Sequence, residues 1–186
     1  MFLHKGVENV NIFDADLYKK NRLNLKQHRI MEKSLVLIKP NAVQRGLIGE
    51  IIARFERKAL HVAGLKMIQL DDAVLNEHYA HLSERPFFTI LKDSMMVSPV
   101  VAMCIEGLDA VETVRLMVGA TNSRKALPGT IRGDFSMSGE QNVIHASDSV
   151  ENALVEVKRF FRDEELFEYQ SAVTSFEYGG EEKARM

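Results

Sequence analysis

With 186 residues the chain is long enough to bury one core well and short for two. Apolar residues make up 46% and charged residues 27%, an ordinary globular mixture, and no apolar run approaches the roughly 18 residues that span a bilayer. Lys and Arg total 24 against 26 Asp and Glu, so a net charge of −2 offers no general attraction to nucleic acid or to acidic membranes, and any anion site must be local. Cys104 is the single cysteine, which rules out an intramolecular disulfide and fits a reducing compartment. The first thirty residues mix Lys5, Lys19, Lys20 and Arg22 with Glu8, Asp14 and Asp16 and lack the apolar stretch of a secretory signal. A cytoplasmic location is therefore expected.

From Ser34 onward the pattern becomes regular. Leu35-Val36-Leu37-Ile38 has the length of a buried strand and stops at Lys39-Pro40, where the proline biases Lys39 toward extended backbone. Leu47, Ile48, Ile51, Ile52 and Phe55 recur at helical spacing, predicting an amphipathic helix over 46 to 58. A strand over 62 to 70 and a helix over 73 to 82 follow. Pro99 to Ile105 reads as a third strand, with Gly107 as a turn. Asp109 with Glu112 has the form of an acidic capping box, Val111, Val114 and Val118 make a stripe, and Gly119 suits the C-terminal cap, predicting a helix over 109 to 118.

Residues 119 to 139, with Pro128, Gly129, Gly133 and Gly139, read as one long loop, and loops of that length without their own structure are usually functional. The last strand, 142 to 145, leads into a helix from about 148, with Asp148 and Glu151 as its cap and Val150, Leu154, Val157 and Phe161 as its buried stripe. Strand, helix, strand, then strand, helix, strand is the order of a ferredoxin-like α+β sandwich, a four-stranded antiparallel sheet covered by helices.

The chemistry concentrates at the last junction. His145 emerges from a short apolar run straight into a helix start, and Glu156 lies eleven residues on. An imidazole can carry a covalent intermediate when a partner orients it. His78 and His81 stand three apart on a predicted helix, but two imidazoles at that spacing are a weak signal for a metal set. Neither a G-x-x-x-x-G-K-[ST] loop nor a protein-kinase glycine loop is present, so side chains must hold any phosphate.

Five segments in order resemble the nucleoside diphosphate kinase family: Leu37 to Gly46, Arg85-Pro86-Phe87-Phe88, Gly119-Ala120-Thr121-Asn122, Pro128 to Phe135, and the His145 segment. The resemblance covers about Glu32 to Tyr178 and implies exchange of the terminal phosphate between nucleoside triphosphates and diphosphates, with ATP as donor, through a phosphohistidine and with magnesium. By resemblance His145 is the nucleophile, Glu156 orients it, and Tyr79 and Ser147 complete its surroundings. Lys39, Arg115 and Arg132 surround the phosphates, Thr121 donates a hydroxyl, Phe87 stacks on the base, and Asn142 with Lys39 meets the sugar hydroxyls. No dedicated protein ligand set for magnesium is expected, because substrate oxygens and water suffice.

The resemblance also implies a homo-oligomer. The apolar 166 to 178 segment resembles the C-terminal part of hexameric members, so a hexamer is favoured over a tetramer. Residues 1 to 30 have no counterpart in the family core and read as an extension before a domain over 31 to 178, with 179 to 186 as a charged tail. Ala146 stands where the family usually has glycine and would be strained at a positive φ, and Ser123 stands where proline is frequent. A nucleotide-binding protein that has lost transfer, or one that passes the phosphate to proteins, would carry the same residues.

Overall fold

The computed structural model describes residues 31–169 and 171–185; the segment read as an N-terminal extension lies outside them. Four strands form one sheet in the order β2-β3-β1-β4: β1 (Met31–Ile38), β2 (His61–Ile68), β3 (Val100–Leu108) and β4 (Ile144–Ala146). Every neighbouring pair is antiparallel. With helices packed across the sheet, this is the ferredoxin-like α+β sandwich.

The alternation of side chains along a strand explains why β1 is continuously apolar from Leu35 to Ile38. Val36 and Ile38 enter one core with Val101, Met103, Ile105, Ile51, Phe55 and Val114, while Leu35 and Leu37 enter the other with Ala102, Cys104, Leu75, Met95, Val157 and Phe160. A strand with a buried side chain on each face has no polar positions to alternate.

The helices are α1 (Pro40–Gln44), α2 (Ile48–Arg57), α3 (Asp72–His78), α4 (Phe88–Met96), α5 (Ala110–Val118), α6 (Ile131–Phe135) and α7 (Val150–Phe160), followed by single turns at Thr174–Glu177 and Gly180–Lys183. Helix α1 was not expected; Pro40 occupies its first turn, where a missing N–H costs nothing. Helix α4 was also missed. The helix expected over 73 to 82 ends at His78, because Tyr79 leaves helical backbone at φ −106° and ψ 24° before a 3₁₀ turn over Ala80–Leu82.

Gly107 is no turn. It lies inside β3 opposite Glu32, and a Cβ there would stand 2.6 Å from Leu60 Cδ2, so the glycine makes room for a core leucine. Asp109 does not cap α5 with its side chain; it adopts φ 49°, and Glu32 Oε2 accepts from Val111 N at 3.1 Å instead. That acceptor comes from β1, 79 residues away in sequence, and the β1/β3 pairing brings it there. Gly119 does close α5, at φ 84° with its N–H on the Arg115 carbonyl.

The 119 to 139 stretch is not an unstructured loop. It contains a 3₁₀ turn over Ser123–Lys125 and α6, each capped by a side chain, Asn122 and Thr130 respectively. Ser149, not Asp148, caps α7 by accepting from Asn152 N. Of the expected stripe, Val157 and Phe161 are buried, joined by Ala153 and Phe160, whereas Val150 and Leu154 in the first half of α7 are 40% and 57% exposed. Sequence spacing thus holds for the C-terminal half and fails in the first turns, where contact with the sheet decides the buried face.

Candidate active site

Register places the central histidine. His145 pairs with Leu37 across β1/β4, and directly opposed residues of an antiparallel pair share a face, so its ring lies on the Leu35 and Leu37 side under α3 and α7. There His145 Nε2 stands 3.2 Å from Glu156 Oε2 on α7. Ser147 Oγ donates to that same oxygen at 2.6 Å and accepts from Leu35 N at 3.0 Å, which fixes the hydroxyl in the sheet. Ser147 is thus fully buried behind the carboxylate and does not merely precede the helix.

Burial pushes the Glu156 carboxyl up, but the hydrogen bonds and charge of His145 together with the Ser147 bond prevail and hold it at about 2. It is ionised and can only accept, so Nε2 is the donor of this pair, which in a neutral imidazole leaves the ring's lone pair on Nδ1. Because the folded value lies below the ordinary one, this carboxylate stabilises the fold fully above pH 4.5 and ceases to as pH falls toward about 2.

Ala146 lies in β4 and is not among the described residues with positive φ; Val143 is, at φ 60°. Ile144 N closes back on the Asn142 carbonyl at 2.8 Å, a three-residue turn that a β-branched residue enters under strain. The strain expected beside the histidine sits instead two residues before it. The Val143 carbonyl in this turn accepts from Lys39 N at 2.9 Å.

Lys39, at the end of β1, has the extended backbone that Pro40 demands, φ −72° and ψ 161°. Its Nζ donates to Asn142 Oδ1 at 2.7 Å, and Asn142 Nδ2 donates to the Thr121 and Gly139 carbonyls, each at 3.1 Å. Burial first and the Arg132 charge second lower the Lys39 ammonium to about 7. Arg132, on α6, is buried and donates to the carbonyls of Gly119 at 2.8 Å, Ile144 at 2.7 Å and, more weakly, Asn142 at 3.4 Å. Burial and then Arg115 lower Arg132 to about 10, which leaves it charged. Arg115 and Thr121 are exposed on the rim.

A cavity of about 730 Å³ collects these groups, the size of an ordinary small-molecule site. Lys39, Tyr79, Phe87, Arg115, Thr121, Arg132, Asn142, His145 and Glu156 all line it; Ser147 alone of the sequence candidates does not. Phe87 stands at the start of α4 with 43% of its surface exposed, whereas Phe88 turns toward the second core, with the Lys92 ammonium 5.3 Å from its ring centre. Tyr79 is buried with its ring edge-on to His145, centres 6.1 Å apart, and its phenol is pushed up by burial and by Glu156.

Sequence reasoning missed His78. It is buried with its ring edge-on to His145 at 4.6 Å, its Nδ1 is 3.8 Å from Glu156 Oε1, and Arg159 Nη1 approaches the same nitrogen at 3.4 Å. Burial above all, aided by His145, lowers it to about 3, so it is a neutral ring. The carboxylate that joins it comes from α7, and His81 takes no part in the cluster.

The comparisons agree with this geometry. The nucleoside diphosphate kinase family model matches residues 32–166. A nucleoside diphosphate kinase of Parabacteroides distasonis is 59% identical over 140 residues, covering 75% of this chain and 92% of that protein. Nucleoside diphosphate kinase A of Mus musculus is 50% identical over 147 residues, covering 79% and 97%. Among solved structures, a halophilic nucleoside diphosphate kinase from Halobacterium salinarum in complex with CDP superposes with a TM-score of 0.78 at 40% identity, covering 80% of this chain and 99% of that one. Sequence, fold and a cation-lined cavity around one oriented histidine agree, and the chain belongs to the nucleoside diphosphate kinase family of phosphotransferases.

Proposed function

We propose that the enzyme works in two half-reactions through a phosphohistidine at His145. The lone pair of Nδ1 attacks the γ-phosphorus of a triphosphate such as ATP, an Nδ1–P bond forms, and the bond from that phosphorus to the β,γ-bridging oxygen breaks, so that the diphosphate leaves. A second diphosphate then attacks the phosphohistidine in reverse. The observation that carries this reading is the Glu156 carboxylate on Nε2 at 3.2 Å, itself held by Ser147, which keeps the ring proton away from Nδ1 throughout.

Catalysis of such a transfer is mostly positioning and electrostatics. Lys39, Arg115 and Arg132 supply the charge, and the Arg132 fork keeps two of its five N–H groups for phosphate, since three are taken by carbonyls among the described residues. Asn142 is held by Lys39, Thr121 and Gly139 before any sugar arrives, so it presents the sugar with a fixed amide. Thr121 adds a hydroxyl at the rim. Tyr79 walls the nucleophile off from one side.

Among the described residues, the one set of three or more His, Cys, Asp or Glu donors that converges is His78, His145 and Glu156. Two imidazoles suit magnesium poorly, since it prefers oxygen ligands in octahedral geometry. The chain therefore fits magnesium brought in on the nucleotide, where the ion shields phosphate charge.

The test is to mix the protein with γ-labelled ATP. Acid-labile label that GDP discharges supports the proposal; label that GDP does not remove favours transfer to proteins, and absence of label favours a binding protein.

Two further results are expected. Between about pH 7 and 10.5 the empty cavity keeps Lys39 uncharged, while a bound phosphate favours its ammonium. Nucleotide binding near pH 8.5 should therefore take up about one proton per site, read by calorimetry in buffers of different ionisation enthalpy, and Lys39→Met should abolish the uptake. Equal uptake in the variant would remove Lys39 from that role. Phe87→Ala should weaken all bases alike by about 1–3 kcal/mol, because every base offers a π-face; a loss confined to one base would contradict simple stacking.

We also propose a cytoplasmic hexamer in preference to a tetramer. Phe167 and Phe176 are 65% and 88% exposed in the isolated chain, a placement that asks for a partner surface, and a tetramer mass by sedimentation would exclude it. Among the described residues no helix is long and apolar enough to cross a membrane. Residues 1–30 are proposed as an extension to a kinase domain over 31–178, and 179–186 as its tail, within which Arg185 Nη2 meets Asp109 Oδ1 at 3.2 Å.

A further inference from the structure

Among the described residues His78 is the one buried titratable group beside the nucleophile that the transfer does not use. Its ring touches His145, its Nδ1 lies 3.8 Å from Glu156 Oε1, and its Nε2 is buried with no hydrogen-bond partner. One donor atom from each of His78, His145 and Glu156 lies within 4.8 Å of the others. Two imidazoles, one carboxylate and an open side toward the cavity are the donor set and vacancy of a three-ligand zinc centre.

We infer that these three residues bind one borderline divalent cation of the zinc type, and that the bound ion inhibits the enzyme. Tetrahedral zinc with bonds of about 2.0–2.1 Å needs donors about 3.3 Å apart. His145 Nε2 and Glu156 Oε2 already stand at 3.2 Å, so the adjustment falls on His78. Turning that ring gives up the long Arg159 contact of 3.4 Å and shifts its edge packing on Tyr79 and Phe160, while its Nδ1 already faces Glu156 Oε1 at 3.8 Å and its other nitrogen has no bond to lose among the described residues. Glu156 supplies the favourable charge, while Arg159 and Arg132 oppose a cation, which points to roughly micromolar affinity and not to a permanent structural metal.

The inhibition has a specific chemical cause. An ion on His145 Nε2 displaces the ring proton to Nδ1, so the imidazole stays neutral but loses the lone pair that attacks phosphorus. No proton need leave the ring. Magnesium, which disfavours such ligands, does not compete for the site. This inhibitory consequence rests on the phosphohistidine reading; the binding itself does not.

The experiment titrates zinc chloride into the full-length, nucleotide-free protein by calorimetry, with cobalt chloride in parallel to read the visible bands of a tetrahedral ion. One site per chain is expected, weakened at least about tenfold in His145→Ala and in His78→Phe, with turnover of the wild type inhibited over the same zinc range and restored by a chelator. Glu156→Gln provides a further arm if His78→Phe does not fold. Failure of the wild type to bind zinc, or binding unchanged in the variants, overturns the site, the latter because the ion then sits elsewhere. Zinc binding intact in a protein that never labels with γ-labelled ATP would sink the phosphohistidine reading alone.

Discussion

His145→Ala is expected to lower turnover by more than about 10⁴-fold while nucleotide binding is retained, because the variant removes the proposed attacking atom and none of the cations proposed to grip phosphate. Lys39, Arg115, Arg132, Thr121 and Phe87 all line the cavity independently of that ring. The fold should survive: His145 is only half-buried, and its removal leaves Glu156 still bonded to Ser147 at 2.6 Å. Turnover is read by coupled assay and binding by calorimetry with ADP. Unchanged turnover would take His145 out of the mechanism, and lost binding would mean that the ring also shapes the nucleotide site.

For Arg132→Met, stability and catalysis should fall together. The buried guanidinium donates to Gly119, Ile144 and Asn142, which belong to the end of α5, to β4 and to the strained turn before it. Methionine fills much of the space and leaves those carbonyls without their donor, at a cost of about 3 kcal/mol, to be read as a lower urea midpoint. Beyond that, kcat/KM should fall by about 10²–10³-fold from the loss of charge at the phosphates. Lys39 should also gain basicity, since Arg132 is the second cause of its lowered value, so proton uptake on nucleotide binding near pH 8.5 should shrink. Arg132→Lys should not rescue stability, because one ammonium cannot span three carbonyls. A variant as stable as the wild type would show that the carbonyls find other donors and that the arginine is held for phosphate alone.

The site was more legible in the sequence than its supports were. Nine of the ten side chains named by resemblance line one cavity, because a family's site residues are fixed in type by shared chemistry. What those side chains rest on was hidden. His78 looked like half of an incomplete metal pair, since its carboxylate lies on α7, distant in sequence. Ser147 looked like a residue introducing a helix, although its hydroxyl ties β1 to Glu156. The strain suspected at Ala146 belongs to Val143, and no composition rule marks a valine for a positive φ.

By itself the sequence determined which segments are strands, from apolar runs such as Leu35 to Ile38, and which cations meet in one cavity. Only the tertiary structure decided the buried face of the first turns of α7, the cap that Glu32 provides for α5, and the state of the buried groups: Lys39 near neutrality, His78 uncharged, Glu156 ionised. The reason is physical. Periodicity and residue type are local, but a side chain's burial and its nearest charge depend on what the sheet brings beside it, and those two quantities set both packing face and proton affinity.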